Sequence, residues 1–195
     1  MHHFFAYLSR MKLIDRWSLM RCTQRENVQE HSLQVAVIAH ALCLIGNKRY
    51  GRTLSPERVA TLAIFHDATE VLTGDLPTPV KYFNNGIRDA YRAIEGHAAQ
   101  QLLNFLPHDL KDSYEDLLCG NEEEKEAHSL VKAADSICAY IKCLEEEAAG
   151  NREFAGARKT IEAKLRVSMQ LPEVKDFVLE CIPSFSLTLD EMNPR

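Results

Sequence analysis

The chain has 195 residues, 46% hydrophobic and 26% charged, which is enough for a buried core and ordinary for one soluble globular domain over 1–195. A net charge of -5 argues against the basic face that a nucleic-acid polymer or an anionic membrane would require, and no apolar run approaches the ~20 residues of a membrane span, Val35 to Ile45 being short and carrying His40. The N-terminus lacks a charged-then-apolar leader, and the cysteines at 22, 43, 119, 138, 143 and 181 form no Cys-x-x-Cys pair, so the expectation is a cytoplasmic protein with reduced thiols, mostly in the core.

The periodicity is helical nearly throughout, and no segment alternates like a strand bounded by hairpin turns, so the fold class expected is all-α. A first helix covers about His3 to Ile14 and gives way to the polar stretch Asp15 to Arg25, which holds the single tryptophan, Trp17. Asn27 is placed as an N-cap with Glu30 three residues on, a capping-box variant, and the helix it opens runs to Gly46 with His31, Val35, Ile38, Leu42 and Ile45 on one face. Ser55-Pro56-Glu57 starts the next helix, with proline in its first turn, and that helix runs to about Leu72. The loop Gly74-Asp75-Leu76-Pro77-Thr78-Pro79 follows directly. Further helices are expected over Ile87 to Leu106, Leu110 to Leu118, Glu122 to Ala149, Phe154 to Met169 and Glu173 to Cys181.

His66-Asp67 sets two metal-ligand side chains side by side on the apolar helix from Pro56. Burying a carboxylate beside an imidazole is costly unless something pairs with both, and a divalent cation does so. The dipeptide alone is weak, because His108-Asp109 also occurs; there Asp109 follows Pro107 at a helix start and reads as a first-turn carboxylate on the positive helix end. Around His66-Asp67, by contrast, Val59, Leu62 and Ala63 mark a buried face that Glu70 shares at helical spacing. His31 heads the apolar stripe of its own helix, whereas His40, nine residues on at ~100° each, is turned ~180° away and reads as surface or packing. A single inward histidine such as His31 is more often a core residue than a ligand. Asp135 interrupts the apolar face of Leu130 to Tyr140 in mid-helix, where no cap explains it; a buried ion pair with an arginine is the competing account. Together His31, His66, Asp67 and Asp135 supply two imidazoles and two carboxylates, a set that suits Mn, Co, Fe, Ni or Zn better than Ca or Mg.

The order His31, His66-Asp67, Asp135 on a helical scaffold resembles the HD-domain metal-dependent phosphohydrolases. Arg16-Trp17, the runs from Glu30 to Ala36 and from His66 to Phe83, Lys132-Ala133-Ala134-Asp135 and the ending Pro183-Ser184-Phe185 resemble, more closely, the bacterial 5′-deoxynucleotidase family of the YfbR type. The resemblance implies a helical bundle of the HD-domain type, forming a homodimer, with one divalent transition metal ion per subunit, such as Co or Mn. It implies hydrolysis of deoxyribonucleoside 5′-monophosphates to deoxynucleoside and phosphate.

Within that frame Glu70, one helical turn from His66, reads as a general acid or base, or as a group orienting the water. Arg16 reads as the phosphate clamp, since a guanidinium fork donates two parallel hydrogen bonds and keeps its charge. The resemblance sets Trp17 near the sugar, where it would exclude a 2′-hydroxyl; a core tryptophan is the plain alternative. The proline-stiffened loop Asp75, Leu76, Pro77, Thr78 is expected to present side chains and backbone to the nucleoside, alongside His31 and Asp135. Lys81 reads either as added positive potential or as a solvated lysine. Two other readings remain open on sequence: a different HD phosphohydrolase, acting on triphosphates or cyclic nucleotides, and a non-catalytic nucleotide or metal sensor.

Overall fold

A computed structural model describes residues 1–81 and 83–193; Tyr82 of the His66-to-Phe83 run and the last two positions of the expected 1–195 domain lie outside the described residues. The fold is all-α, with eleven α-helices and no named strand among the described residues. They are α1 (Phe4–Leu8), α2 (Val28–Tyr50), α3 (Pro56–Phe65), α4 (Glu70–Thr73), α5 (Thr78–Lys81), α6 (Asn85–Asn104), α7 (Lys111–Cys119), α8 (Lys125–Ala148), α9 (Ala155–Ser168), α10 (Pro172–Glu180) and α11 (Leu189–Met192).

Local chemistry sets the helix starts. The Asn27 side chain accepts the Glu30 N–H at 3.0 Å while Glu30 accepts the Asn27 N–H at 3.2 Å, the capping box expected from sequence. Ser55 caps α3 through the Arg58 N–H, with Pro56 in the first turn. The end of α2 differs from expectation. Gly46 is buried inside the helix, which runs on to Tyr50 and stops at Gly51, whose φ of 70° lies in the left-handed region. Gly46 instead makes room for Arg52: a Cβ there would stand 3.0 Å from Arg52 Cδ. At 23 residues and a mean hydropathy of 1.3 in its most apolar window, α2 is long and apolar enough to cross a membrane by length and composition, more than the short Val35–Ile45 run suggested. Its buried stripe packs on α3 and α8, the position of a core helix.

Two apolar clusters hold the helices. The larger joins Val35, Ile38 and Leu42 of α2 to Val59 and Leu62 of α3 and to Leu130, Ile137 and Ile141 of α8. The smaller gathers Phe4, Leu102, Leu103 and Leu106, with Phe65 and Tyr114 against them. Ala63 belongs to the first and Ala68 to the second, so His66 and Asp67 lie where the chain crosses from one cluster to the other. All six cysteines are free; Cys43, Cys138 and Cys143 are buried, as expected of core thiols.

The polar stretch after α1 folds as a pinned loop. At its base Val28 N–H donates to Ile14 O at 3.0 Å and Arg16 N–H to Glu26 O at 2.9 Å, around an antiparallel Asp15–Asn27 bridge. Its far end is tied to Glu146, a fully buried carboxylate of α8. Glu146 accepts from the Thr23 N–H at 2.8 Å, the Thr23 hydroxyl at 2.7 Å, the Gln24 N–H at 3.3 Å, Asn151 Nδ2 at 2.8 Å and Lys142 Nζ at 2.6 Å. The same lysine donates to Gln24 O at 2.6 Å. This fixes the loop that carries Arg16 and Trp17.

Candidate active site

The helix from Pro56 does not run unbroken to Leu72. It stops at Phe65, and the next turns tighten to i→i−3 bonds, with His66 N–H to Ala63 O at 3.4 Å, Ala68 N–H to Phe65 O at 3.0 Å and Glu70 N–H to Asp67 O at 3.0 Å. The break matters because consecutive side chains on a regular helix diverge by ~100°. Here both converge: His66 Nε2 is 3.1 Å from Asp67 Oδ2.

The four expected ligands meet around this turn. From the first turns of α2, His31 brings Nε2 to 3.1 Å from Asp135 Oδ1 of α8 and 3.8 Å from Asp67 Oδ2, and its ring centroid lies 5.3 Å from that of His66. His31, His66 and Asp67 each offer a donor atom within 4.8 Å of the others. His66 Nδ1 lies 2.7 Å from the Ala63 carbonyl, which only accepts, so Nδ1 carries the proton and Nε2 is left for a ligand. Both imidazole Nε2 atoms are buried without a hydrogen-bond partner. Donor separations of 3.1 Å match the edge of an octahedron with bonds of about 2.1 Å, which is about 3.0 Å. These residues therefore fit a divalent transition metal. Among the described residues no arginine lies within ion-pair distance of Asp135; its side chain stays 41% exposed, so the cluster opens to solvent on the α8 side.

Electrostatics agree. Burial by itself would lower the His66 pKa, yet the adjacent Asp67, then Asp135 and the Ala63 carbonyl, raise it to about 9, so a proton supplies the positive charge the carboxylates demand. Against burial, His66, His31 and Arg16 hold Asp67 far below the usual carboxylate range, and His31 and His66 lower Asp135. Glu70 goes the other way: burial, then the charges of Asp67 and Asp75, push its pKa up to about 9, and its Oε2 is buried without a partner.

In the metal-free protein this fixes the sign of a pH dependence. Glu70 in the fold keeps a proton that the unfolded chain, with a glutamate pKa of about 4.3, gives up, so stability falls as pH rises from about 5 to about 9. His66, also raised, adds a loss of the same sign above about 6.5. Thermal unfolding of chelator-treated protein should show this decline, and Glu70→Gln should flatten it; equal slopes in the two proteins would exclude Glu70 as its source.

Arg16 places Nη1 3.6 Å from Asp67 Oδ2 and Nε 3.6 Å from Glu26 Oε1, at the edge of the cluster. Burial opposes its charge, but Asp135, Glu26, Asp67 and Asp75 hold it protonated. Trp17 is half-buried, donates Nε1–H to Glu26 Oε2 at 3.1 Å and tilts against Phe154 with centroids 5.3 Å apart. Its φ of 58° is left-handed, the one such non-glycine among the described residues. Asp75 feels the charges of Arg16 and Asp67, and burial raises its pKa. Leu76 and Pro77 are half-buried and Thr78 opens α5 exposed; among the described residues no hydrogen bond or ion pair joins these three to the cluster. Lys81 forms an ion pair with Glu95 at 2.7 Å and lies over the Tyr91 ring. His108 and Asp109 are exposed in a 3-10 turn before α7, as their helix-start reading requires. Sequence reasoning missed Glu26, which touches Arg16, Trp17 and His31. It directly precedes the N-cap in a polar stretch and carries no periodic signal.

The fold is the one seen in solved HD-domain phosphohydrolases. A solved HD-domain phosphohydrolase from Listeria innocua superposes with a TM-score of 0.83 at 22% identity, over 94% of this chain and 88% of that one. A cyanophage S-2L HD phosphohydrolase, solved bound to dA and one catalytic Zn2+ ion, gives 0.64 at 16% identity over 93% and 95%. At sequence level, the family description "5′-deoxynucleotidase YfbR-like" matches residues 3–185. The 5′-deoxynucleotidase of Vibrio cholerae is 53% identical over 98% of this chain and 98% of its own, and 5′-deoxynucleotidase YfbR of Escherichia coli is 53% identical over 98% and 96%. The chain belongs to the YfbR-like 5′-deoxynucleotidase family.

Proposed function

We propose that the protein is a metal-dependent 5′-deoxynucleotidase, hydrolysing deoxyribonucleoside 5′-monophosphates to deoxynucleoside and phosphate. Alongside family membership, one observation carries this reading: two buried imidazole Nε2 atoms, lacking hydrogen-bond partners, face Asp67 and Asp135. His31, His66, Asp67 and Asp135 would hold one divalent ion per subunit, cobalt or manganese suiting the donor set. When bound, such an ion supplies Lewis-acid activation of water and of a phosphoryl oxygen.

The remaining roles fall to the protein's own groups. Arg16 lies beside Asp67 with its charge secured, and its guanidinium orients the phosphate by paired hydrogen bonds. Glu70, buried one turn beyond His66 and holding its proton, serves as the proton-transfer group, its partnerless Oε2 being the atom that gives or takes. Trp17 forms a rigid wall for the sugar; an apolar pocket alone rejects an added hydroxyl by only ~10²-fold, so discrimination against ribonucleotides rests on the ring's fixed position. Asp75 is the member of the following loop that feels the charges of Arg16 and Asp67, and with Leu76, Pro77 and Thr78 it forms the nucleoside's side of the cleft.

The chain acts as one cytoplasmic domain over 1–195 and as a homodimer. Leu33 and Val37, one turn apart and more than 60% exposed on α2, give that dimer an apolar face. Purified protein supplied with cobalt or manganese should release phosphate from dAMP faster than from AMP and should weigh twice the chain mass by light scattering. Equal rates on the two nucleotides would remove the deoxy specificity, and a monomer mass would remove the dimer.

A further inference from the structure

His31 and His66 face the same cluster but are held differently. His66 Nδ1 is fixed by a neutral backbone carbonyl 2.7 Å away, one turn back in its own helix. His31 Nδ1 is buried, has no partner meeting hydrogen-bond geometry, and is approached instead by a carboxylate, Glu26 Oε1, at 3.4 Å. The same oxygen lies 3.6 Å from Arg16 Nε, another buried donor without a bonded partner. The second oxygen, Oε2, accepts Trp17 Nε1–H at 3.1 Å. Glu26 itself is held by its backbone, its carbonyl accepting the Arg16 N–H at 2.9 Å. One carboxylate thus stands behind three groups of the site, accepting one N–H and lying within 3.4 and 3.6 Å of the nitrogens of the other two.

We propose that Glu26 is a positioning residue, whose carboxylate keeps the His31 proton on Nδ1, so that Nε2 presents its lone pair to the ion, and holds Arg16 and Trp17 in register with it. The inference rests on the metal-site reading given above. A histidine ligand normally donates its other N–H to a carboxylate, carbonyl or water, which fixes the tautomer and makes the ligand more basic. Such contacts are often long or poorly aligned before substrate binds, and His31 Nδ1 and Glu26 Oε1 already stand 3.4 Å apart. Glu26 also joins phosphate binding to sugar selection, because Arg16 and Trp17 are adjacent in sequence and share it.

Glu26→Gln separates this role from simple support of the loop. The amide keeps the volume and an oxygen for Trp17 Nε1–H, but it removes the charge and turns an N–H donor toward His31, so the imidazole must place its proton on Nε2, the ligand atom. Cobalt or manganese affinity is measured without substrate, by competition with a chromophoric chelator, on wild type, Glu26→Gln, Glu26→Asp and Asp67→Ala, with circular dichroism and Trp17 emission recorded on each. Glu26→Gln should keep the wild-type helix signal and emission and lose metal affinity by about 10- to 100-fold, and Glu26→Asp, which keeps the charge, should recover part of that loss. Wild-type affinity in Glu26→Gln, with Asp67→Ala defective, overturns the role of Glu26 and leaves the metal site standing. Absence of binding in the wild type overturns both. Equal losses in Glu26→Gln and Glu26→Asp would assign the effect to packing and likewise overturn the proposal.

Discussion

Asp67→Ala should abolish metal retention and lower phosphate release from a deoxynucleoside 5′-monophosphate by more than about 10³-fold, beyond the 10- to 100-fold that loss of a ligand's hydrogen-bond partner costs. The size follows from geometry. Asp67 Oδ2 is the atom common to the site, 3.1 Å from His66 Nε2, 3.8 Å from His31 Nε2 and 3.6 Å from Arg16 Nη1. Without it, Asp135 is the one carboxylate left in the proposed ligand set, facing two imidazoles and a guanidinium, and the charge that would draw in a divalent cation is halved. Asp109→Ala supplies the matched control, being the exposed carboxylate of the other His-Asp pair, and should leave turnover unchanged. Full ion occupancy of Asp67→Ala by elemental analysis would strike Asp67 from the ligand set.

The second large effect concerns stability. Glu146→Ala should cost about 3–5 kcal/mol, because it leaves the buried Lys142 ammonium uncompensated and strips acceptors from the Thr23 and Gln24 N–H groups and from Asn151. In a chain of this size that is a fall in Tm of roughly 10 °C or more. Burial opposes the Glu146 charge, yet Lys142, Thr23 and Asn151 hold its pKa well below the usual carboxylate range. Its contribution is therefore complete above about pH 4.5 and is lost as pH falls below that. Glu146→Gln, which retains the shape, should fall between wild type and Glu146→Ala. A Tm for Glu146→Ala within about 2 °C of wild type would mean that the loop over residues 15–26 is not held through this carboxylate.

These two residues mark the limits of reading the chain as a string. Asp67 was legible because Val59, Leu62 and Ala63 imply a buried face and a carboxylate there demands a partner. The capping box of α2 and the proline start of α3 were legible because their chemistry is local. The break after Phe65 was not: the apolar spacing from Val59 to Leu72 suits a continuous helix, and the tightened turn falls where the chain passes from one apolar cluster to the other, a tertiary feature with no local signal. Glu146 sits in Glu145-Glu146-Glu147, which as sequence is a solvated charge run; it is buried only because a loop more than a hundred residues earlier in the chain docks on it. Glu26 was hidden for the same reason, since its three contacts exist only once Asp15 and Asn27 pair.

The left-handed backbone of Trp17 gives position 17 an unusual standing under selection. A bulky residue in that region carries about 1–3 kcal/mol of strain, which glycine or asparagine would largely relieve. Either substitution relieves that strain but gives up the packing against Phe154 and the Nε1–H bond to Glu26, and, on the function proposed above, the wall for the sugar as well. If the proposed role of Trp17 holds, a strained tryptophan kept at this position is a cost in stability borne for selectivity, and its replacement should be read out in the dAMP-to-AMP ratio and not in Tm alone.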